Sequence, residues 1–186
     1  MRILTLGVDH RSAPTSVREA LAFEGERRRE GLDALKDSAP DAEFVLLSTC
    51  NRVELYAAAE TEPPDGEALA GFLARFHDVP VATLDGHLVA RRDEAAVAHL
   101  FRVAAGLESL VPGEGQVLGQ VRDAYKLAAE CKAVGRVRMD GVPACPTPRD
   151  ASLTAGTLFF RTARSRSGRP AVHAFTAPPR HPRRPG

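Results

Sequence analysis

The stretch Phe44-Val-Leu-Leu-Ser-Thr-Cys50-Asn-Arg-Val-Glu-Leu-Tyr56 constrains this chain more than any other. An apolar run, Phe44 to Leu47, breaks into Ser48, Thr49, Cys50 and Asn51. Arg52 follows before apolar residues return at Val53, Leu55 and Tyr56. That order reads as strand, polar turn, strand. The turn lifts one thiol out of a sheet and sets a hydroxyl, an amide and a guanidinium around it. A free thiol with a pKa of ~8.5 is mostly protonated at neutral pH, so a nucleophilic cysteine gains from a nearby cation or N–H donors. Arg52 either supplies that field or clamps a carboxylate with its planar fork. Taken alone, a cysteine beside an apolar strand is more often a packed, inert thiol.

Length allows one core, or one domain with an appendage, in 186 residues. The net charge of +1 conceals two chemically different parts. Residues 1–130 carry 14 Lys and Arg against 22 Asp and Glu, whereas residues 131–186 carry 11 against 2. Three cysteines, Cys50, Cys131 and Cys145, show no CxxC pairing and no histidine at metal-ligand spacing, which predicts a reduced chain without a metal. The N-terminus turns polar too early for a signal peptide, and no run reaches the ~20 apolar residues of a membrane span. The expectation is a soluble cytoplasmic protein with no membrane partner.

Residues 3–8 make a short apolar strand, and Pro14 keeps Ala13 extended. Ser16 followed by Glu19 is a capping-box pattern, predicting a helix that runs on through Ala20, Leu21 and Phe23. Glu26 to Lys36 forms a second helix with Leu32 and Leu35 inside. Its Arg27-Arg28-Arg29 run, among four acids, reads as a solvated face. After the Cys50 strand pair and a Pro-Pro-Asp-Gly loop, Gly66 to His77 carries Leu69, Phe72, Leu73 and Phe76 on one helical face. Leu84 to Ala90 supplies a last strand. The order predicts an α+β fold, a ferredoxin-like split βαβ layer, followed by two further helices.

The first of those helices, 94–110, is capped by Asp93 and packs Val97, Leu100, Phe101, Ala104 and Leu107 inward at 100° per residue. His99 projects from a different face, beside Ala95, Arg102, Val103 and Gly106. Periodicity alone favours a structural histidine there, although such a position also suits a side chain reaching across a groove. Pro112-Gly113 breaks the helix and Glu114 starts another, with Val117, Leu118, Val121, Tyr125 and Ala128 inward. Gln116 and Gln120, at i and i+4, project together as two amides able to bind a polar ligand or simply to meet solvent.

Four separated patches agree with one family. Gly7-Val-Asp-His10 with Ala13-Pro14 and Arg18-Glu19, Ser48 to Tyr56, His99 to Ser109, and Gly113-Glu-Gly-Gln-Val-Leu-Gly-Gln120 together resemble the N-terminal catalytic domain of glutamyl-tRNA reductase over residues 1–130. The resemblance reverses the reading of Cys50 as inert. It implies that the Cys50 thiolate attacks the ester of glutamyl-tRNA(Glu), leaving a thioester. NADPH, held on a separate Rossmann domain in the family, then reduces that thioester to glutamate-1-semialdehyde, the entry to tetrapyrrole synthesis.

By the same likeness Thr49, Cys50, Asn51 and Arg52 form the substrate loop, with Arg52 on the glutamate carboxylate. Ser109, Glu114, Gly115, Gln116 and Gln120 complete the pocket, and His99 assists the thiol. Glutamate-1-semialdehyde aminomutase is the implied protein partner. Beyond residue 130 the likeness stops: 8 of the 14 prolines and many arginines fall in residues 131–186, which read as a disordered, aberrant tail on a truncated reductase. With neither the NADPH domain nor the family's helical dimerisation domain, the expected product is a monomer that hydrolyses glutamyl-tRNA without reducing it. A non-catalytic module that binds glutamyl-tRNA or a pathway partner is the alternative.

Overall fold

The computed structural model describes residues 1–110 and 116–134. In chain order the elements are β1 (Arg2–Asp9), α1 (Thr15–Ala20), α2 (Arg27–Ser38), β2 (Glu43–Ser48), β3 (Arg52–Ala59) and α3 (Gly66–His77). A 3-10 turn (Val81–Leu84), β4 (Val89–Arg92), α4 (Asp93–Ala104) and α5 (Gln116–Glu130) follow. The sheet runs β2-β3-β1-β4 with every neighbouring pair antiparallel. Each strand–helix–strand half therefore straddles a strand of the other, which is the expected ferredoxin-like α+β layer.

Strand alternation gives the sheet two unlike faces. Leu4, Leu6 and Val8 of β1, Val53 and Leu55 of β3, and Phe44 and Leu46 of β2 join one continuous core with Leu32, Leu35, Leu69, Phe72 and Leu73 from α2 and α3. The opposite face carries Ile3, Thr5, Gly7 and Asp9, paired in register with Ala58, Tyr56, Glu54 and Arg52. Helix α4 covers it, Ala96 packing with Ile3 and Ala58. Residues 52–58 are consequently all buried although three of them are polar or charged. Past its last turn, α5 is tied to the sheet edge by the Phe44 N–H on the Ala133 carbonyl (2.9 Å), to α2 by Lys36 on the Cys131 carbonyl (2.9 Å), and by Arg29 on Glu130 (2.7 Å).

Several local expectations are corrected. No capping box forms at Ser16: α1 begins at Thr15 behind Pro14, at φ −65° and ψ 161°, with no side-chain cap, and it ends at Ala20. Leu21 and Phe23 are buried from the following loop instead, where Arg28 holds the Phe23 carbonyl at 3.0 Å. The fourth strand starts at Val89 rather than Leu84, because the chain first turns through a 3-10 segment and Gly86 at φ 73°.

Asp93 is the first helical residue of α4, not its cap. Its carboxylate grips the Ile3 N–H (3.0 Å) and Arg2 (2.9 Å), joining β1 to α4. That helix stops at Ala104 rather than residue 110. Gly106 at φ 71° lets its own N–H reach the Val103 carbonyl and the Leu107 N–H reach that of Arg102, a Schellman closure. Leu107 is left 60% exposed, off the predicted stripe. Residues 135–186, including Cys145 and most of the proposed tail, lie outside the described residues.

Candidate active site

The Cys50 turn connects β2 and β3 through three residues, Thr49, Cys50 and Asn51. Such tight hairpins ordinarily need positive φ at the loop positions, yet neither Cys50 nor Asn51 adopts it. Thr49 resolves this locally. Its N–H donates to the Arg52 carbonyl at 2.8 Å, while its hydroxyl accepts from the N–H groups of Asn51 and Arg52, both at 3.2 Å, in place of a main-chain carbonyl. The turn is further held by Ser48, whose hydroxyl accepts the Phe23 N–H at 3.0 Å. Arg28 and Arg18 donate to the Ser48 and Cys50 carbonyls at 3.5 Å. Cys50 itself is a free, exposed thiol, so it is not packed against the sheet.

Beneath the turn, on the α4 side of the sheet, lies a buried polar row. Arg52, Glu54 and Tyr56 follow one another at i, i+2 and i+4 and so share one face of β3. Glu54 is their hub. Its Oε1 accepts Arg52 Nη1 at 2.8 Å and faces His99 Nε2 at 2.9 Å, and its Oε2 accepts the Tyr56 hydroxyl at 2.6 Å. Burial pushes the Glu54 carboxyl up, but the His99 hydrogen bond, the Arg52 charge and the Tyr56 hydroxyl outweigh it and hold the group below its ordinary value. Burial first, and then Glu54, drive the Tyr56 phenol well above its usual range. Glu54 is therefore an ionised acceptor, which makes His99 the donor through Nε2. His99 Nδ1 is left buried with no hydrogen-bond partner among the described residues.

Arg52 is 2% exposed, so its guanidinium lies inside the fold and not on its surface. Its second Nη donates to the Glu108 carbonyl, and the Glu108 side chain is gripped by Arg11 and by Arg102 (2.7 Å). Burial again opposes ionisation of Glu108, and Arg102 and Arg11 hold its carboxyl below its ordinary value. Ser109, next in the chain, is buried with its hydroxyl unpartnered among the described residues. One chain of bonds thus connects three predicted site residues, running from His99 through Glu54 and Arg52 to the backbone beside Ser109.

The remaining predicted residues are less tightly drawn in. Gln116 is exposed and Gln120 half-buried at the start of α5, and no hydrogen bond among the described residues ties either to the Cys50 turn. Glu114 and Gly115 lie outside the described residues. Val97 and Phe101, predicted inward, are only partly buried, whereas His99, predicted off the stripe, is fully buried. The sequence reading did not single out Glu54 and Tyr56, or Glu108 with its partner Arg11, all of which the structure places in this bonded network. The Arg-x-Glu-x-Tyr alternation, polar on every second strand position, was the legible signal for the first two.

A family model described as glutamyl-tRNAGlu reductase, N-terminal domain, matches residues 6–140. The chain belongs to the glutamyl-tRNA reductase family. A glutamyl-tRNA reductase of Marinobacter nauticus is 46% identical over 135 residues, 73% of this chain and 31% of the relative. One from Rubrobacter xylanophilus is 46% identical over 137 residues, 74% and 32% of the two chains. Among solved structures, the glutamyl-tRNA reductase from Methanopyrus kandleri superposes with a TM-score of 0.58 at 28% identity, covering 87% of this chain and 36% of that one. The chain thus spans about a third of the length of the reductases it matches, and what is shared is their N-terminal domain. Among the described residues no helix is long and apolar enough to cross a membrane.

Proposed function

We propose that this domain takes the glutamyl group from glutamyl-tRNA(Glu) onto Cys50. The observation that carries the reading is the exposed Cys50 thiol on a braced turn that leads, two residues on, into Arg52 of a buried His–Glu–Arg network. The sulfur attacks the ester carbonyl, a C–S bond forms, and the C–O bond to the terminal ribose breaks. The thiol proton leaves with the ribose oxygen, relayed by His99. An aminoacyl ester is already activated, so the transfer needs no further energy input. Arg52 orders the site from below, and Thr49, Asn51, Ser109, Gln116 and Gln120 supply polar groups at its edge. Glu114 and Gly115 belong to the same pocket by family likeness alone. Water then releases glutamate and restores the thiol.

The family implies NADPH as reductant. A dinucleotide pyrophosphate needs a glycine-rich turn between a strand and a helix N-terminus. The β1–α1 connection, Asp9-His10-Arg11-Ser12-Ala13-Pro14, contains no glycine and leads into a helix of six residues. The described residues do not fit the cofactor, and the reading is confined to acyl transfer and hydrolysis.

Incubation with glutamyl-tRNA, acid quenching and intact-mass spectrometry tests it. A glutamyl adduct on Cys50, absent from Cys50→Ser, is expected. Equal binding of glutamyl-tRNA by wild type and Cys50→Ser, with no adduct on either, would instead support a non-catalytic binding module. Semialdehyde released by the isolated chain in the presence of NADPH would overturn the restriction to hydrolysis.

A further inference from the structure

Three observations around Glu54 converge. It is buried, yet both carboxylate oxygens are engaged, and by three different side chains from β3 and α4. Its place in the sheet exists only because Gly7 stands opposite: a Cβ there would lie 2.2 Å from the Val53 carbonyl oxygen, 2.7 Å from the Glu54 Cα and 3.0 Å from its Cγ. Its bond to His99 Nε2 leaves Nδ1 buried and without a partner among the described residues. A buried ring nitrogen left without a partner is costly, so the strand and helix here hold the imidazole in place against that cost.

We propose that Glu54 is a positioning residue for the acyl transfer, fixing the His99 imidazole and the Arg52 guanidinium through one shared carboxylate oxygen. The inference rests on the proposed acyl transfer. It follows the logic by which a buried carboxylate orients the imidazole in nucleophile–His–acid sites. Tyr56 serves it in turn. Its hydroxyl occupies Oε2, so that Oε1 is the oxygen shared by Arg52 and His99. The remaining charges around the network are Asp9 of β1 opposite Arg52, Arg91 of β4 acting on Tyr56, and Glu108 with Arg11 and Arg102 beyond α4. None of these is hydrogen-bonded to the imidazole among the described residues.

Single-turnover formation of the Cys50 adduct, followed across pH with Glu54→Gln, Glu54→Asp and Tyr56→Phe, tests the proposal. Glu54→Gln removes the charge that fixes the imidazole; its transfer rate is expected to fall at least about tenfold with little change in the half-saturating tRNA concentration. The acid limb of its rate profile moves to lower pH. Glu54→Asp, shorter but charged, restores part of the rate and the wild-type limb. Tyr56→Phe loses one bond to Oε2 and slows transfer several-fold. A folded Glu54→Gln variant with wild-type rate and pH profile would overturn the proposal. Should Glu54→Gln fail to melt cooperatively, Tyr56→Phe becomes the deciding variant, and wild-type kinetics there would assign Glu54 a purely structural role. If the wild-type chain forms no Cys50 adduct at all, it is the acyl-transfer reading that fails.

Discussion

Gly7 and Glu54 face each other across the β1–β3 ladder, and the missing side chain of the one is the room occupied by the other. The pair lies on the sheet face covered by α4, where Arg52, Glu54 and Tyr56 run in a row with His99 above them. A glycine in the middle of a strand ordinarily weakens it, and here it marks a close backbone approach.

Gly7→Ala is therefore expected to cost more than an ordinary strand substitution. The obstruction is the Val53 carbonyl oxygen and the Glu54 Cα, which cannot swing away as a flexible side chain would. Overpacking of this kind costs about 1–3 kcal/mol. Urea melts of wild type and Gly7→Ala should show a lower midpoint with an unchanged slope. Acyl transfer should drop along with it, since Glu54 must shift to accommodate the methyl group.

Sequence patterning served the sheet better than the site. The hairpin around Cys50, the α3 stripe and the split βαβ order were all readable from apolar periodicity, because each buries its residues against an apolar partner. For α4 the same logic misplaced the buried face. Val97, Phe101 and Leu107 are more apolar than His99, yet His99 is the fully buried one, because the strand beneath offers a carboxylate rather than a leucine. A helix's own periodicity carries no information about the chemistry of the face it lands on. Arg52 shows the same limit. Its place after a polar turn suggests a field on the thiol or a carboxylate clamp, and only the β3 register shows it pointing beneath α4 towards Glu54.

Acid should loosen the domain through this buried row. Glu54 and Asp9 both have folded pKa values below their ordinary ones, in each case despite burial. The His99 bond and the Arg52 charge overcome it at Glu54, and the N–H groups of Arg11 and Ser12, then Arg52, at Asp9. A carboxylate with a depressed folded pKa contributes stability above its unfolded pKa and loses it as pH falls through the folded one. Denaturant melts should thus show a stability plateau above the ordinary carboxylate range and a steep decline below it. Glu54→Gln should flatten part of that decline.

His77 predicts a second slope at milder acidity. Its imidazole packs edge-on against Phe23 at 4.4 Å, with Nε2 buried and unpartnered among the described residues. Burial, followed by the neighbouring Arg27, lowers its pKa from 6.5 to about 4. Between those values the unfolded chain binds a proton that the folded one refuses, so stability falls as pH drops from 6.5 towards 4. His77→Phe keeps an aromatic ring and removes the titrating group. Melts over this interval should be less pH-dependent in that variant, and a slope equal to wild type would show that His77 is protonated in place.

Arg52→Lys tests whether the fork or merely the charge matters beneath the turn. Arg52 reaches two acceptors with separate nitrogens, the Glu54 carboxylate and the Glu108 carbonyl. A lysine ammonium, on a flexible stem, keeps the charge but cannot span both with the same planar geometry. Left without its donor, the Glu108 carbonyl should cost about 1–3 kcal/mol of stability. The Glu54 pairing should partly survive, and a double-mutant cycle separates the two effects. Arg52 and Glu54 are bonded to each other, so the destabilisations of Arg52→Lys and Glu54→Gln should fall short of additivity by about 0.5–3 kcal/mol. Additive losses in urea melts would mean that the two side chains contribute independently, and that the hydrogen bond joining them adds nothing to stability. A coupled pair whose Lys variant still forms the Cys50 adduct at the wild-type rate would restrict Arg52 to holding the fold.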